Sequence, residues 1–171
     1  MLKRLYRKWR NPRHPAPGRS ALLRFARSAA EAAGLPLERE WDLDATFVGD
    51  REMTRCNAAL VGHEGTTDVI TFSYFDDAGS CFPGEVGVEL IINPDAAARE
   101  GRRRGTGYAY EMALYLVHGL LHVAGEDDLA PGPRRRMRRR EREVMDALRR
   151  DFDLAELFPE FPPGSQGGDE K

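Results

Sequence analysis

A chain of 171 residues is the size of one ordinary domain and long enough to hold a core without staples. Apolar residues at 41% and charged residues at 32% exclude collagen, low-complexity disorder and a membrane bundle. The formal net charge of −2 conceals a polarity, with basic segments at 1–19 and 134–150 flanking an acidic body. No apolar run approaches the ~20 residues that cross a bilayer, because Glu111 and His118 interrupt the longest one. The N-terminus is basic but lacks the apolar stretch and cleavage site of a secretory signal. Cys56 and Cys81 form no CxxC pair, which points to a reduced, cytoplasmic protein.

In chain order, residues 1–19 carry Lys3, Arg4, Arg7, Lys8, Arg10, Arg13 and Arg19 and no acid, and with Pro12, Pro15 and Pro17 they read as an extended basic arm. The domain proper runs over 20–158. Ser20 can cap a helix over 21–33, ended by Gly34 and Pro36. Residues 41–48 alternate as a strand with Trp41, Leu43, Ala45 and Phe47 on one face. Asp50 caps a short helix to about residue 59, and 62–65 is a loop. The β-branched and aromatic run 67–74 is a strand, 76–84 a loop, and 86–92 a second apolar strand closed by Asn93-Pro94. A short helix at 94–101 and a loop at 102–107 lead to the best helix of the chain, 108–124, apolar on most sides and therefore buried. Pro131 or Pro133 sits in the first turn of a last helix reaching Asp151, and 159–171 form a turn-rich, disordered tail. The fold class is α+β: one small mixed sheet packed with several helices, with a buried central helix carrying two histidines.

The chemistry concentrates in HGLLHVAGEDD, starting at His118. His118 and His122 lie four apart, so both imidazoles leave one face of the helix. Gly125 can adopt a positive φ, stop the helix and turn the chain back, which brings Asp128 to the same place. Two helix ligands and one loop ligand leave a fourth zinc position open to water. Read blandly, Asp127 or Asp128 caps the last helix; Asp127 can also orient an imidazole. The spacing HxxxHxxGxxD copies a zinc-peptidase signature, HExxHxxGxxH, but the peptidase's general base is replaced by Gly119. Glu111, Tyr115, His118 and His122 form one polar stripe on the same helix; Glu111 supports substrate or pairs with one of Arg102 to Arg104.

The segment HGLLHVAGEDD, together with CNAALVGHEGTTDVITF from Cys56 to Phe72 and the following Gly84-Glu85-Val86, resembles the YbeY family of bacterial endoribonucleases, also described as rRNA maturation factors. The resemblance covers residues 20–150. It implies a single-strand-selective, metal-dependent endoribonuclease acting at the 3′ end of 16S rRNA and in ribosome quality control, with one Zn2+ per chain on His118, His122 and Asp128 and with rRNA and the ribosome as partners. Two positions depart from the family pattern. The usual third histidine is Asp128, which favours harder ions. The usual Tyr-Arg pair, whose arginine is thought to serve catalysis, is Leu60-Val61. His63, Glu85 and Glu111 are the candidates for proton transfer, although His63 also reads as a solvated loop residue and Glu85 as a strand end. Asp68 reads as a turn-former before the strand. Arg134, Arg135, Arg138 and Arg139, with the basic arm, would hold RNA phosphates. The rival readings are a zinc metallopeptidase and a non-catalytic ribosome-binding protein with a structural metal.

Overall fold

The alternation in WDLDATF sends Trp41, Leu43, Ala45 and Phe47 to one side of a strand, and all four are buried in the main core. This strand, β2 (Trp41–Phe47), lies inside a four-stranded mixed sheet of order β1-β2-β4-β3. In the computed structural model, which describes residues 1–36, 38–75 and 86–162, β1 (Leu2–Trp9) and β4 (Val86–Ile92) run parallel to β2, while β3 (Val69–Ser73) runs antiparallel to β4. Six α-helices occur among the described residues: α1 (Arg19–Ala33), α2 (Asp50–Cys56), α3 (Pro94–Arg104), α4 (Tyr108–Val123), α5 (Pro131–Asp151) and α6 (Leu154–Leu157). The main core joins the inner face of β2 and β4 to Leu22, Phe25 and Ala29 of α1, Met112, Leu116 and Leu120 of α4, and Met137, Val144 and Met145 of α5. A smaller cluster of Val48, Met53, Ile70 and Ile91 seats α2 on the other face.

Residues 1–19 are not a loose arm. Leu2–Trp9 is edge strand β1, with Leu5 opposite Leu43 and Trp9 opposite Phe47. The register shifts between Leu2 and Arg4, so Leu2 and Leu5, three apart, both turn inward and are buried. The bases on the opposite face meet acids: Lys8 pairs with Asp44 at 2.7 Å, and Lys3 with Glu40 at 2.5 Å.

Several boundaries differ from expectation in instructive ways. Gly18, not Ser20, precedes α1, and Gly49, not Asp50, precedes α2. The Asp50 carboxylate is drawn to Arg99 at 2.8 Å and Asn93 at 2.8 Å instead. α2 continues into a wider-wound π turn, Asn57–Val61. Asp153 caps the additional α6 through the amides of Ala155 and Glu156. Glu85, Cys81 and residues 163–171, which include most of the expected tail, lie outside the described residues.

Candidate metal centre

α4 is the rod on which the site is built. Met112, Ala113, Leu116, Leu120 and Leu121 are buried around it, and its own backbone bonds leave no polar group to satisfy there. Gly119 faces β4: a Cβ there would lie 2.6 Å from Leu90 Cδ2 and 2.9 Å from Thr71 Oγ1. Leu90 is fully buried, so a side chain at 119 would have to displace it within the core. The helix therefore packs closely on the sheet next to His118, and glycine stands where a peptidase would carry its base.

The helix ends as its sequence demands. Gly125 takes φ 97°, its N–H donates to the His122 carbonyl at 3.0 Å, and the Glu126 N–H donates to the Leu121 carbonyl at 3.0 Å. This paired closure reverses the chain. It also orients a ring, because the Glu126 carbonyl oxygen accepts from His122 Nδ1 at 2.9 Å. The returning loop is shaped by Asp127, whose side chain accepts from the Leu129 N–H at 3.1 Å, and by Arg134, whose Nε donates to the Asp128 carbonyl at 2.9 Å. Neither Asp127 nor Asp128 caps α5, which follows Ala130 without a side-chain cap.

His118, His122 and Asp128 thus converge, with ligand atoms all within 4.8 Å of one another. Asp128 Oδ2 is 3.7 Å from His118 Nε2, and Oδ1 is 3.7 Å from His122 Nε2. His118 Nδ1 donates to Glu141 Oε1 at 2.6 Å. Both Nδ1 atoms face oxygen acceptors and donate to them, which leaves the two Nε2 atoms, 2.9 Å apart, directed at one place beside the Asp128 carboxylate. Two ring nitrogens and an adjoining carboxylate at this spacing make a three-donor set that fits a divalent metal. Burial works against charge on His118, but the bonded Glu141, with help from Asp68 and Asp128, outweighs it and raises the ring's pKa above the ordinary histidine value.

Two cavities meet at this group. The larger, about 550 Å3, runs between α4, the π turn and β3, and includes His63, Asp68, Thr71, His118, His122 and Asp128 among its walls. The smaller, about 250 Å3, lies on the α5 side and includes Arg104, Tyr115, His118, Arg134, Arg138 and Glu141. Asp68 borders both and accepts from the Val69 N–H at 2.8 Å and Thr67 Oγ1 at 3.1 Å, the turn-forming role its position suggests. The Thr67–Asp68 side of the larger cavity is pinned by buried Asn93, which donates to Thr66 Oγ1 and the Thr67 carbonyl, and by Asn57, which donates to the Gly65 carbonyl.

Of the proton-transfer candidates, His63 lines the larger cavity. Glu111 does not belong to either wall: it is fully buried at the far end of α4, accepting from Thr106 Oγ1 at 2.5 Å and facing Arg104 at 3.7 Å. The loop before α4 satisfies one of its oxygens through Thr106, while Oε2 has no hydrogen-bond partner among the described residues and faces only the Arg104 guanidinium at the end of α3. Of the four arginines, Arg134 and Arg138 border the smaller cavity, while Arg135 and Arg139 are exposed on the same helix, Arg139 lying 3.8 Å from Glu143. Glu141 is the functional residue that the sequence reading missed. Its signal is periodic: it falls four after Met137 and three before Val144, on the buried stripe of α5 rather than among the arginines.

The sheet, the buried helix and the three convergent donors make an α+β protein with a group that could hold a metal ion. The family model Endoribonuclease YbeY matches residues 18–149, and the chain belongs to that family. An Endoribonuclease YbeY of Anaeromyxobacter sp. is 36% identical over 132 residues, which span 77% of this chain and 66% of that protein. One from Geobacter sulfurreducens is 33% identical over 142 residues, 81% of this chain and 91% of that protein. The solution structure of TM1509 from Thermotoga maritima shares the fold, with a TM-score of 0.53 at 19% identity, covering 88% of this chain and 93% of that one.

Proposed function

We propose that the chain cuts single-stranded RNA during rRNA maturation, at the 3′ end of 16S rRNA, and in ribosome quality control in the cytoplasm, using one Zn2+ held by His118, His122 and Asp128. As a member of its family it is an endoribonuclease, a nuclease hydrolase. The observation that carries the reading is the convergence of two imidazole Nε2 atoms and a carboxylate at the junction of two cavities. A divalent metal held by His118, His122 and Asp128 would supply Lewis-acid activation of water and of the phosphodiester. The chain's own residues do the rest. Glu141 and the Glu126 carbonyl fix the rings, and Arg134 fixes the loop that brings Asp128. His63 stands in the larger cavity as the group that holds or moves a proton at the reacting phosphate. The arginine face of α5, through Arg134, Arg135, Arg138 and Arg139, attracts the phosphate backbone. No helix among the described residues is long and apolar enough to cross a membrane.

Metal analysis combined with cleavage assays tests this. The purified protein is expected to carry about one metal per chain and to cut single-stranded rRNA in preference to duplex. Asp128→Ala is expected to lose the metal and at least about a hundredfold in cleavage. Full metal content and full cleavage in that variant would remove Asp128 from the site. Peptide hydrolysis without RNA cleavage would restore the peptidase reading, and a metal site with no turnover would restore the structural one.

A further inference from the structure

The two cavities differ in charge as well as size. The larger one has no lysine or arginine among its described lining residues; its polar walls are histidines, threonines, Asn57, Ser73, Asp68 and Asp128. A phosphodiester strand lying in it gains no counter-charge beyond the metal itself. The smaller cavity, on the other side of His118 and Asp128, brings in Arg104, Arg134 and Arg138. These three guanidiniums are not equivalent. Arg104 is spent on Glu100 at 3.0 Å and Glu111 at 3.7 Å. Arg134 donates only to neutral carbonyls, those of Asp128 and Leu129, and forms no ion pair among the described residues. Arg138 is exposed and makes no hydrogen bond or ion pair among the described residues. Three acids share this cavity, but each is placed on another partner: Glu141 on His118, Asp68 on the Val69 N–H, and Asp128 at 3.7 Å from both imidazoles, and none of them forms an ion pair with Arg134 or Arg138. A guanidinium fork with no ion-pair partner among the described residues therefore borders a cavity of about 250 Å3 that opens directly beside the proposed metal ligands.

We infer that the smaller cavity is an anion subsite that takes the phosphate next to the scissile one, gripped by Arg138 and supported by Arg134, so that the strand crosses the metal ligands from the larger cavity towards α5. The inference rests on the endoribonuclease reading for its substrate class, and it deepens that reading by assigning one phosphate to one side chain. A general attraction by the arginine face would weaken binding evenly along the strand; a subsite couples to a single position. Arg138 is a binding residue here, and Arg134 is a positioning residue, because its side chain is already committed to the loop of Asp128.

The test is a chemical double-mutant cycle on the metal-loaded full chain. The probe is a 2′-O-methyl single-stranded oligouridylate, which resists cleavage, made as a set with one phosphate at a time replaced by a neutral methylphosphonate. With the native protein, one member of the set is expected to bind about tenfold more weakly than the rest. Arg138→Ala is expected to weaken the all-phosphate probe by a similar factor and to abolish the penalty at that one position. Arg138→Lys is expected to recover part of the affinity, since charge returns without the planar fork. Arg150→Ala, about 18 Å further along the helix by its rise per residue, is expected to leave the position-specific penalty intact. An Arg138→Ala protein that keeps the penalty, or a native protein that shows none, would overturn the subsite. Cleavage of ordinary single-stranded rRNA by the native protein is measured in parallel. Coupling without cleavage would leave the subsite standing and remove the nuclease reading; cleavage without coupling would do the reverse.

Discussion

The two basic regions of this chain look alike in composition and end differently. In the N-terminal region, Lys3, Lys8, Arg10 and Arg13, four of its seven bases, pair with Glu40, Asp44, Glu52 and Asp95 of the acidic body. In α5, Arg134 meets only carbonyls and Arg138 meets no partner among the described residues, and both line the cavity that His118 and Asp128 also border. A run of bases becomes a surface for nucleic acid only where the fold withholds acids from it. In the first run, buried Leu2 and Leu5 seat the strand and acids of the body meet several of its bases, whereas Arg134 and Arg138 of the second run have no ion-pair partner among the described residues and stay available to phosphate.

The largest expected effect that tests this contrast lies in RNA binding. Replacing Arg135, Arg138 and Arg139 together by alanine is expected to reduce the slope of log affinity against log salt by roughly two units, at ~0.7 per phosphate contact on single strands. The matching triple change of Lys3, Lys8 and Arg10 is expected to leave that slope unaltered. Equal effects from the two sets, read in salt titrations of single-stranded RNA binding, would erase the distinction. Glu141→Gln comes next: it removes the one acid of α5 that turns inward to His118, and metal affinity is expected to fall about 10- to 100-fold in a competition titration.

Asp95 tests the N-terminal side. It is buried and accepts from Asn11 Nδ2 at 2.9 Å, Arg13 at 2.6 Å, His14 at 3.1 Å and the Asp50 N–H at 3.0 Å. Burial alone would raise its pKa, but these donors outweigh it and hold the carboxyl far below its usual 3.8. A depressed folded pKa means stability that is present above the unfolded value and lost as pH falls below it. Asp95→Ala is therefore expected to cost about 2–3 kcal/mol near neutral pH, with the difference from the native chain shrinking in denaturant melts below about pH 4. The smallest effect belongs to Lys8→Ala, a partly exposed pair with Asp44, at less than about 1 kcal/mol. A loss of several kcal/mol there would show that β1 is held by its charges rather than by Leu2, Leu5 and Trp9.

Much of this arrangement is legible in the sequence, for physical reasons. Strong periodicity and clear terminators place α1, α3, α4, α5 and three of the four strands, and the i, i+4 histidines with Gly125 bring the three donors together. β1 escapes because its register shift breaks the two-residue alternation, and because lysines and arginines that pair across the sheet read in isolation as solvated. Ser20 misleads as a cap because Gly18, two residues earlier, already has the extended conformation the helix start requires. Asp50 misleads because distant partners, Asn93 and Arg99, outbid the local amides for its carboxylate. Glu141 hides in a run of arginines, and only its phase against Met137 and Val144 separates it from the solvent face.

The close seating of α4 on the sheet bears on which base the site can carry. A Cβ at position 119 would meet Leu90 Cδ2 at 2.6 Å and Thr71 Oγ1 at 2.9 Å, so a peptidase-type glutamate there would enter only if the side chains of the strands beneath moved. The choice between the two chemistries at that position is thus tied to the packing of a core leucine on the sheet below.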